Sequence, residues 1–264
     1  MSRIKLSAPM SPPWAWAAAG ALLGLLLMTL LNLPARWVTE ACQEFTQGRL
    51  IFKDARGTAW NGSAQLTLAG GAGSTDASTL PGRLAWRIRP AWGAILAEVS
   101  ADCCMQTPWG VSLLPHWGGA TLLLNDSQSQ WPAQWLAGLG TPWNTVQLEG
   151  TLMLVTQGLS VQWAAGRMSV TGRARLDAER MVSRLSTLRP MGSYRLTLHG
   201  GAAPTLALET LEGSLQLSGR GQWAGSRWRF EGEASAAPNR LEALSNLLNI
   251  IGRRDGARAI IKVG

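Results

Sequence analysis

The 264-residue chain contains only two histidines, one tyrosine, three phenylalanines and three cysteines, and charged residues make up 15% of it. Each shortage excludes something. Soluble domains carry about 25% charge, so part of this chain is expected to leave water. The two histidines, His116 and His199, stand far apart with no acidic residue beside either, which leaves a general base without an orienting partner. No CxxC, HExxH, nucleophile elbow, phosphate loop or dinucleotide fingerprint occurs. Glu231 and Glu233 share one strand face, but paired carboxylates on a strand are ordinarily solvated charge. No catalytic residue, metal ligand or cofactor is nominated. The expectation is a protein that binds and does not catalyse.

Nucleic acid is excluded on similar grounds. The formal charge is +8, yet Arg83, Arg87, Arg89, Arg167, Arg173 and Arg175 occur singly, and only Arg253-Arg254 form a pair. A nucleic-acid module concentrates its Lys and Arg in a block or stripe. Scattered charge of this kind reads as solvated strand faces.

What the chain has instead is tryptophan and one long apolar run. Trp supplies 14 of the 18 aromatic residues, beside 30 Gly and 13 Pro. From Trp14 to Leu33 there is no charge. A helix of that length spans about 30 Å, the thickness of a bilayer's hydrocarbon core. Trp14 and Trp16 sit at one end, where indoles favour the headgroup region, and Leu22, Leu26, Leu30 and Leu33 continue the apolar surface. A cleaved signal peptide would have a shorter core and a small-x-small site, and Asn32-Leu33-Pro34-Ala35-Arg36 supplies neither. An uncleaved anchor is therefore expected. Arg3 and Lys5 make the segment before it basic, which places residues 1–13 in the cytoplasm and residues 34–264 outside it, in a bacterium the periplasm. The partner implied directly is the inner membrane.

A periplasmic body permits a disulfide. Cys42 pairing with Cys103 or Cys104, which leaves a third thiol, is one arrangement, and a strained bond between the adjacent Cys103 and Cys104 is less favoured. Three buried thiols are the alternative.

After residue 48 the hydrophobic period becomes two. Gly62–Leu68, Gly150–Leu154, Gly192–Leu198 and Gly213–Leu217 each open with Gly-Ser or Gly-Thr and then alternate. Leu84, Trp86 and Ile88 oppose Arg83, Arg87 and Arg89, and Trp228 and Phe230 oppose Arg229 and Glu231. Leu159–Trp163 and Arg167–Val170 add strands, and Gly225-Ser226 reads as a hairpin turn. One covered and one wet face argues for antiparallel meanders. The remaining tryptophans of the body, among them Trp60, Trp92, Trp109, Trp117, Trp143, Trp163 and Trp223, read as core filling; any that are exposed would suggest a partner surface.

Helices are expected over Pro34–Gln47, with Val38, Cys42 and Phe45 on one face. Another is expected over Ala178–Leu188, with Asp177 as N-cap and Met181, Leu185 and Leu188 inward. A third starts at Asn239, with Glu242 completing a capping box and Gly252 closing it. Gln130–Gly138 gives a shorter one. Residues 70–76 read as an exposed Gly-rich loop, and a second weak stretch at Asn125–Gln130 allows two lobes meeting near 126–145.

Several segments together resemble protein N of the bacterial type II secretion system (general secretion pathway protein N). They are Leu33-Pro34-Ala35 after the anchor and Gly57-Thr58-Ala59-Trp60-Asn61-Gly62-Ser63-Ala64. Leu80–Trp86, Met191-Gly192-Ser193-Tyr194, the Gly/Trp-rich stretch Leu211–Gly232 and the ending Leu244–Gly264 with Gly252 follow in order. Gly57, Trp60, Gly62, Trp86, Tyr194 and Gly252 carry the motif. The Cys103-Cys104 pair and the insertion at 70–76 depart from it. The resemblance implies a single-pass inner-membrane component assisting export of folded periplasmic proteins. Its implied partners are the inner-membrane platform or the secretin. It also implies distant kinship with AsmA-like envelope proteins, hence a mainly β, elongated, curved open antiparallel sheet with two or three short helices. A lipid ligand is the implied alternative use of that sheet. Oligomeric state is not implied.

Overall fold

The computed structural model describes residues 14–71, 73–164, 166–224 and 227–263. The topology residues Arg3 and Lys5 and the turn Gly225-Ser226 lie outside them. Helix α1 (Trp14–Leu31) is followed by a short break and by α2 (Ala35–Phe45). The chain then enters strands β1 (Leu50–Gly57), β2 (Asn61–Ala69), β3 (Ala77–Thr79), β4 (Leu84–Ala91), β5 (Ala94–Ala101), β6 (Trp109–His116), β7 (Gly119–Leu124) and β8 (Ser127–Pro132). A 3-10 turn (Ala133–Leu139) and the single-turn helix α3 (Trp143–Val146) interrupt the series. It resumes with β9 (Leu148–Ala164), β10 (Arg167–Ser183), β11 (Gly192–Gly201), β12 (Thr205–Gly213), β13 (Leu215–Ala224) and β14 (Arg227–Ala236). Helix α4 (Leu241–Ile251), β15 (Arg253–Asp255) and β16 (Arg258–Val263) complete the fold.

All strand pairs are antiparallel and join one open sheet, ordered β1-β2-β4-β5-β6-β7-β9-β10-β11-β12-β13-β14-β16-β15, with β3 added to β2 and β8 to β9. The expected mainly β meander is what the chain forms. Nearly every neighbour in the sheet is a neighbour in sequence, because short Gly-containing turns reverse the chain at once. β9 and β10 are unusually long at 17 residues each, roughly 55 Å at the rise of an extended strand. They bend at two irregularities, between Thr171 and Arg173 and between Glu179 and Val182.

That second irregularity corrects the sequence reading. Residues 178–183 are the end of β10, not a helix: Ala178 pairs with Leu152 and Tyr194, and Met181 with Gly192. Arg180 takes a left-handed backbone (φ 49°), which breaks strict alternation and leaves a spacing that mimics a helical one. Asp177 caps nothing and instead binds Arg195. Similarly, Gln130–Gly138 is the end of β8 followed by the 3-10 turn. In α2, Val38 and Cys42 face the body as expected, but Phe45 is exposed, and Ala35 and Thr39 are the buried positions. Helix α4 forms over the expected stretch with Leu244, Leu247 and Leu248 buried, but no side chain caps its start.

The main core lies on one face of the sheet. There Leu152, Tyr194, Leu215 and Ala234 belong to one cluster with Leu244, Leu247 and Leu248 of α4, and Trp131 stacks on Trp135 at 5.5 Å. A smaller cluster of Ala35, Ala64 and Trp86 sits where α2 meets β2 and β4, backed by Phe52 and Ile88. The tryptophans divide. Trp86 is buried and Trp60, Trp109 and Trp228 are half-buried, whereas Trp143, Trp163 and Trp223 are exposed and Trp92 and Trp117 fully so. Core filling therefore accounts for only some of them.

Candidate interaction surfaces

Four of the six motif residues converge where the apolar helix joins the sheet. The turn between β1 and β2 is tight. Gly57 takes φ 84°, and a Cβ on Gly62 would stand 2.6 Å from the Trp86 ring and 2.7 Å from the Thr58 carbonyl oxygen. Glycine at 62 is thus required by close approach, not by backbone freedom. The Trp86 indole N–H donates to the Ala59 carbonyl at 3.1 Å, and the Ile88 N–H donates to the Trp60 carbonyl at 2.6 Å. With its backbone so fixed, this turn holds the segment leaving α1. The Trp60 indole donates to the Leu30 carbonyl at 2.8 Å, the Ala59 N–H donates to the Leu33 carbonyl at 2.7 Å, and Pro34 bridges to Thr58. Orphan carbonyls at a helix end need such donors.

A guanidinium braces the same hairpin from the outside. Arg83 donates to the Asp54 carboxylate at 2.7 Å and to the Asp54 and Ser63 carbonyls at 2.6 and 3.0 Å. This fixes Asp54 in its left-handed conformation at the register shift between Lys53 and Arg56. Hydrogen bonds from Arg83 and then Arg56 hold the Asp54 carboxyl below its ordinary pKa. Arg83 read as plain strand charge in the sequence. Its role was invisible because its partners lie 20 and 29 residues earlier.

Helix α1 has no buried residue, and Trp14, Trp16, Leu22, Leu26 and Leu30 are all exposed. It is the one described helix long and apolar enough to cross a membrane. Leu33, just past its end, is half-buried.

Tyr194 and Gly252 lie elsewhere and act locally. Tyr194 is buried, with its phenol raised in pKa by desolvation, and its oxygen occupies the space a side chain on Gly192 would need. Gly252 lets α4 turn into β15 against the Ile260 carbonyl, 2.5 Å from where a Cβ would stand.

The histidines do not meet: β7, β9 and β10 separate His116 on β6 from His199 on β11. Glu231 faces Lys262 at 3.6 Å and Glu233 faces Arg258 at 3.4 Å, so both serve as cross-strand ion pairs. Basic residues that are scattered in sequence do gather on the face opposite the core. Arg173, Arg175, Arg195 and His199 line a shallow cleft of about 230 Å³ with Gln157 and Thr197. Buried Asp177 accepts two hydrogen bonds from Arg195 at 2.7 and 3.0 Å, which raises the Arg195 pKa, and lies 3.4 Å from Arg175. The cysteine expectation is also corrected: Cys103 is bonded to Cys104 and Cys42 is free and half-buried. Cys103 and Cys104 sit in the turn after β5, where Cys104 packs in the core.

The model of the type II secretion system protein N family matches residues 49–261, nearly the whole sheet. The chain belongs to that family. No curated protein and no solved structure matches it. The protein N match begins at Arg49, so α1 and α2 precede the matched region while the turn they dock on, with Gly57, Trp60 and Gly62, lies inside it. Protein N is a component of a secretion apparatus, and the chain carries that assignment over most of its length.

Proposed function

We propose that the protein is a bitopic inner-membrane subunit of the type II secretion system that assists export of folded periplasmic proteins without catalysing a reaction. In this reading residues 1–13 are a cytoplasmic tail, residues 14–33 the anchor and residues 34–264 a periplasmic body. The observation that carries it is the built junction between α1 and a family-motif turn. Trp60 fastens a last-turn carbonyl of an apolar helix to the sheet and Ala59 fastens the Leu33 carbonyl just past it, so the body is held at a fixed place beside the membrane. Tethering raises the effective concentration of any partner in the same membrane without new contacts. The sheet is open, and its edges β1 and β15 offer backbone groups for strand addition by platform or secretin components. Photocrosslinking from exposed positions on β1 and β15 in cells tests this. Capture of secretion-system subunits is expected; crosslinks confined to unrelated envelope proteins would contradict it.

A second reading is favoured by a specific feature. On the core-side face beyond the helices, Leu154, Leu176, Leu196, Leu198, Leu206 and Leu208 form a half-buried apolar row across β9 to β12. An acyl chain would fit such a row, as in an AsmA-like lipid-handling module. Native mass spectrometry of the full chain decides it: a retained phospholipid supports it, and lipid-free protein removes it.

A further inference from the structure

The exposed tryptophans are not spread evenly. Of the most exposed large apolar side chains of the body, eight lie on three hairpins that follow one another in the sheet: β4/β5, β6/β7 and β9/β10. Trp92 and Trp117 occupy the first two turns and are fully exposed, while Trp163 and Met168 flank the third. Leu96 and Leu114 extend the apolar surface back along the strands.

Strand register tells which end of the sheet this is. Asn61, at the turn that holds α1, pairs with Arg87, and Arg87 pairs with Glu98, which pairs with Gly110. From that level β4 runs on to Ala91 and β6 to His116, in the direction of the β1/β2 turn. At about 3.4 Å per residue the tips carrying Trp92 and Trp117 reach roughly 14 and 20 Å past the turn that grips Leu30 and Leu33. The hairpins therefore project from the end of the sheet at which the apolar helix leaves it. Their charge is one-sided: Arg87, Arg89 and Arg167 are exposed there, and the one acid on β4 to β7 is Glu98, which faces Arg89 at 3.6 Å.

We propose that the β4/β5 and β6/β7 tips, through Trp92 and Trp117, are a peripheral membrane-contact site that inserts into the anionic outer surface of the same bilayer α1 crosses. Indoles favour the headgroup level, where their rings are apolar and their N–H groups stay wet, and arginines nearby attract anionic lipid. The anchor and the tips then fix the body at two places, which sets its tilt as a single flexible tether could not.

The proposal rests on the membrane reading of α1, and one experiment separates the two. The full chain with Cys42→Ser is reconstituted into phosphatidylethanolamine/phosphatidylglycerol vesicles carrying a headgroup-level nitroxide quencher. A fluorophore is attached at Ala91→Cys or, as control, at Thr75→Cys in the loop at the opposite end of β2. Flotation with the vesicles is measured on the same samples. Expected is several-fold stronger quenching at 91 than at 75, falling to the level of 75 when Trp92→Ser and Trp117→Ser are combined with Ala91→Cys. Equal quenching at 91 and 75 in chains that float overturns the tip contact and leaves the anchor standing. Failure to float overturns the anchor reading and the tip contact with it.

Discussion

Trp86 and Trp92 are six residues apart on one hairpin, and replacing each by alanine removes the same side chain from opposite environments. Trp86 is 7% exposed, packs over Gly62, and satisfies the Ala59 carbonyl at 3.1 Å. Trp92 is fully exposed. Emptying a buried indole site costs about 3–5 kcal/mol, because the surroundings collapse only partly and a carbonyl loses its donor. For a body of this size roughly 2–4 °C of melting temperature accompanies each kcal/mol, so Trp86→Ala should lower Tm by ~6–20 °C. Trp92→Ala should stay within about 0.5 kcal/mol of the parent, a shift of no more than ~2 °C. Far-UV circular dichroism of the full chain in detergent reads both without relying on indole fluorescence. The cost at 86 should also reach α2, whose Ala35 packs in the same cluster, so proteolysis near residues 33–49 should speed up. Equal shifts for the two variants, or a Trp86→Ala change under ~1 kcal/mol, would refute the claim that the motif turn is a packed junction.

Three further outcomes follow from named contacts. Asp54 is held below its ordinary pKa by Arg83 and Arg56, so its contribution to stability is present above pH 4 or so and is lost as pH falls through the depressed value. Urea midpoints of parent and Asp54→Asn should differ at pH 7 and converge on acidification. Asp177→Ala leaves Arg195 and Arg175 facing each other without their shared carboxylate and should cost roughly 2–3 kcal/mol in chemical denaturation. Gly252→Ala places a methyl against the Ile260 backbone and should cost about 1–3 kcal/mol, seen first as faster hydrogen exchange in α4 and β16.

The meander was legible in the sequence because each strand is opened by its own turn residues and covers one face. Leu84, Trp86 and Ile88 alternate against three arginines, and the pattern alone gives the strand, the buried face and the antiparallel class. Reading failed where a strand bends. Arg180 breaks the period of β10, so Met181 falls at helical spacing with Leu185 and Leu188, although neighbouring strands hold residues 178–183 extended and the two leucines lie in the turn beyond the strand. Long-range partnerships were also hidden. The Trp60 indole reaches back 30 residues to Leu30, and Arg83 to Asp54, pairings that only the closed hairpin creates. The motif residues could be pointed to by resemblance, but that four of them form one junction required the fold. Tryptophan content was visible at once, whereas the separation into buried Trp86 and exposed tips depends on whether a position lies within a strand or at its turn.

The role in secretion is tested most directly in a strain lacking this gene, by measuring how exported proteins divide between periplasm and medium. The proposed role predicts that they accumulate folded in the periplasm and that the full chain restores their release, whereas a chain with Trp60→Ala and Gly62→Val restores it poorly. Undiminished release without the gene, with platform and secretin assembled as before, would contradict it.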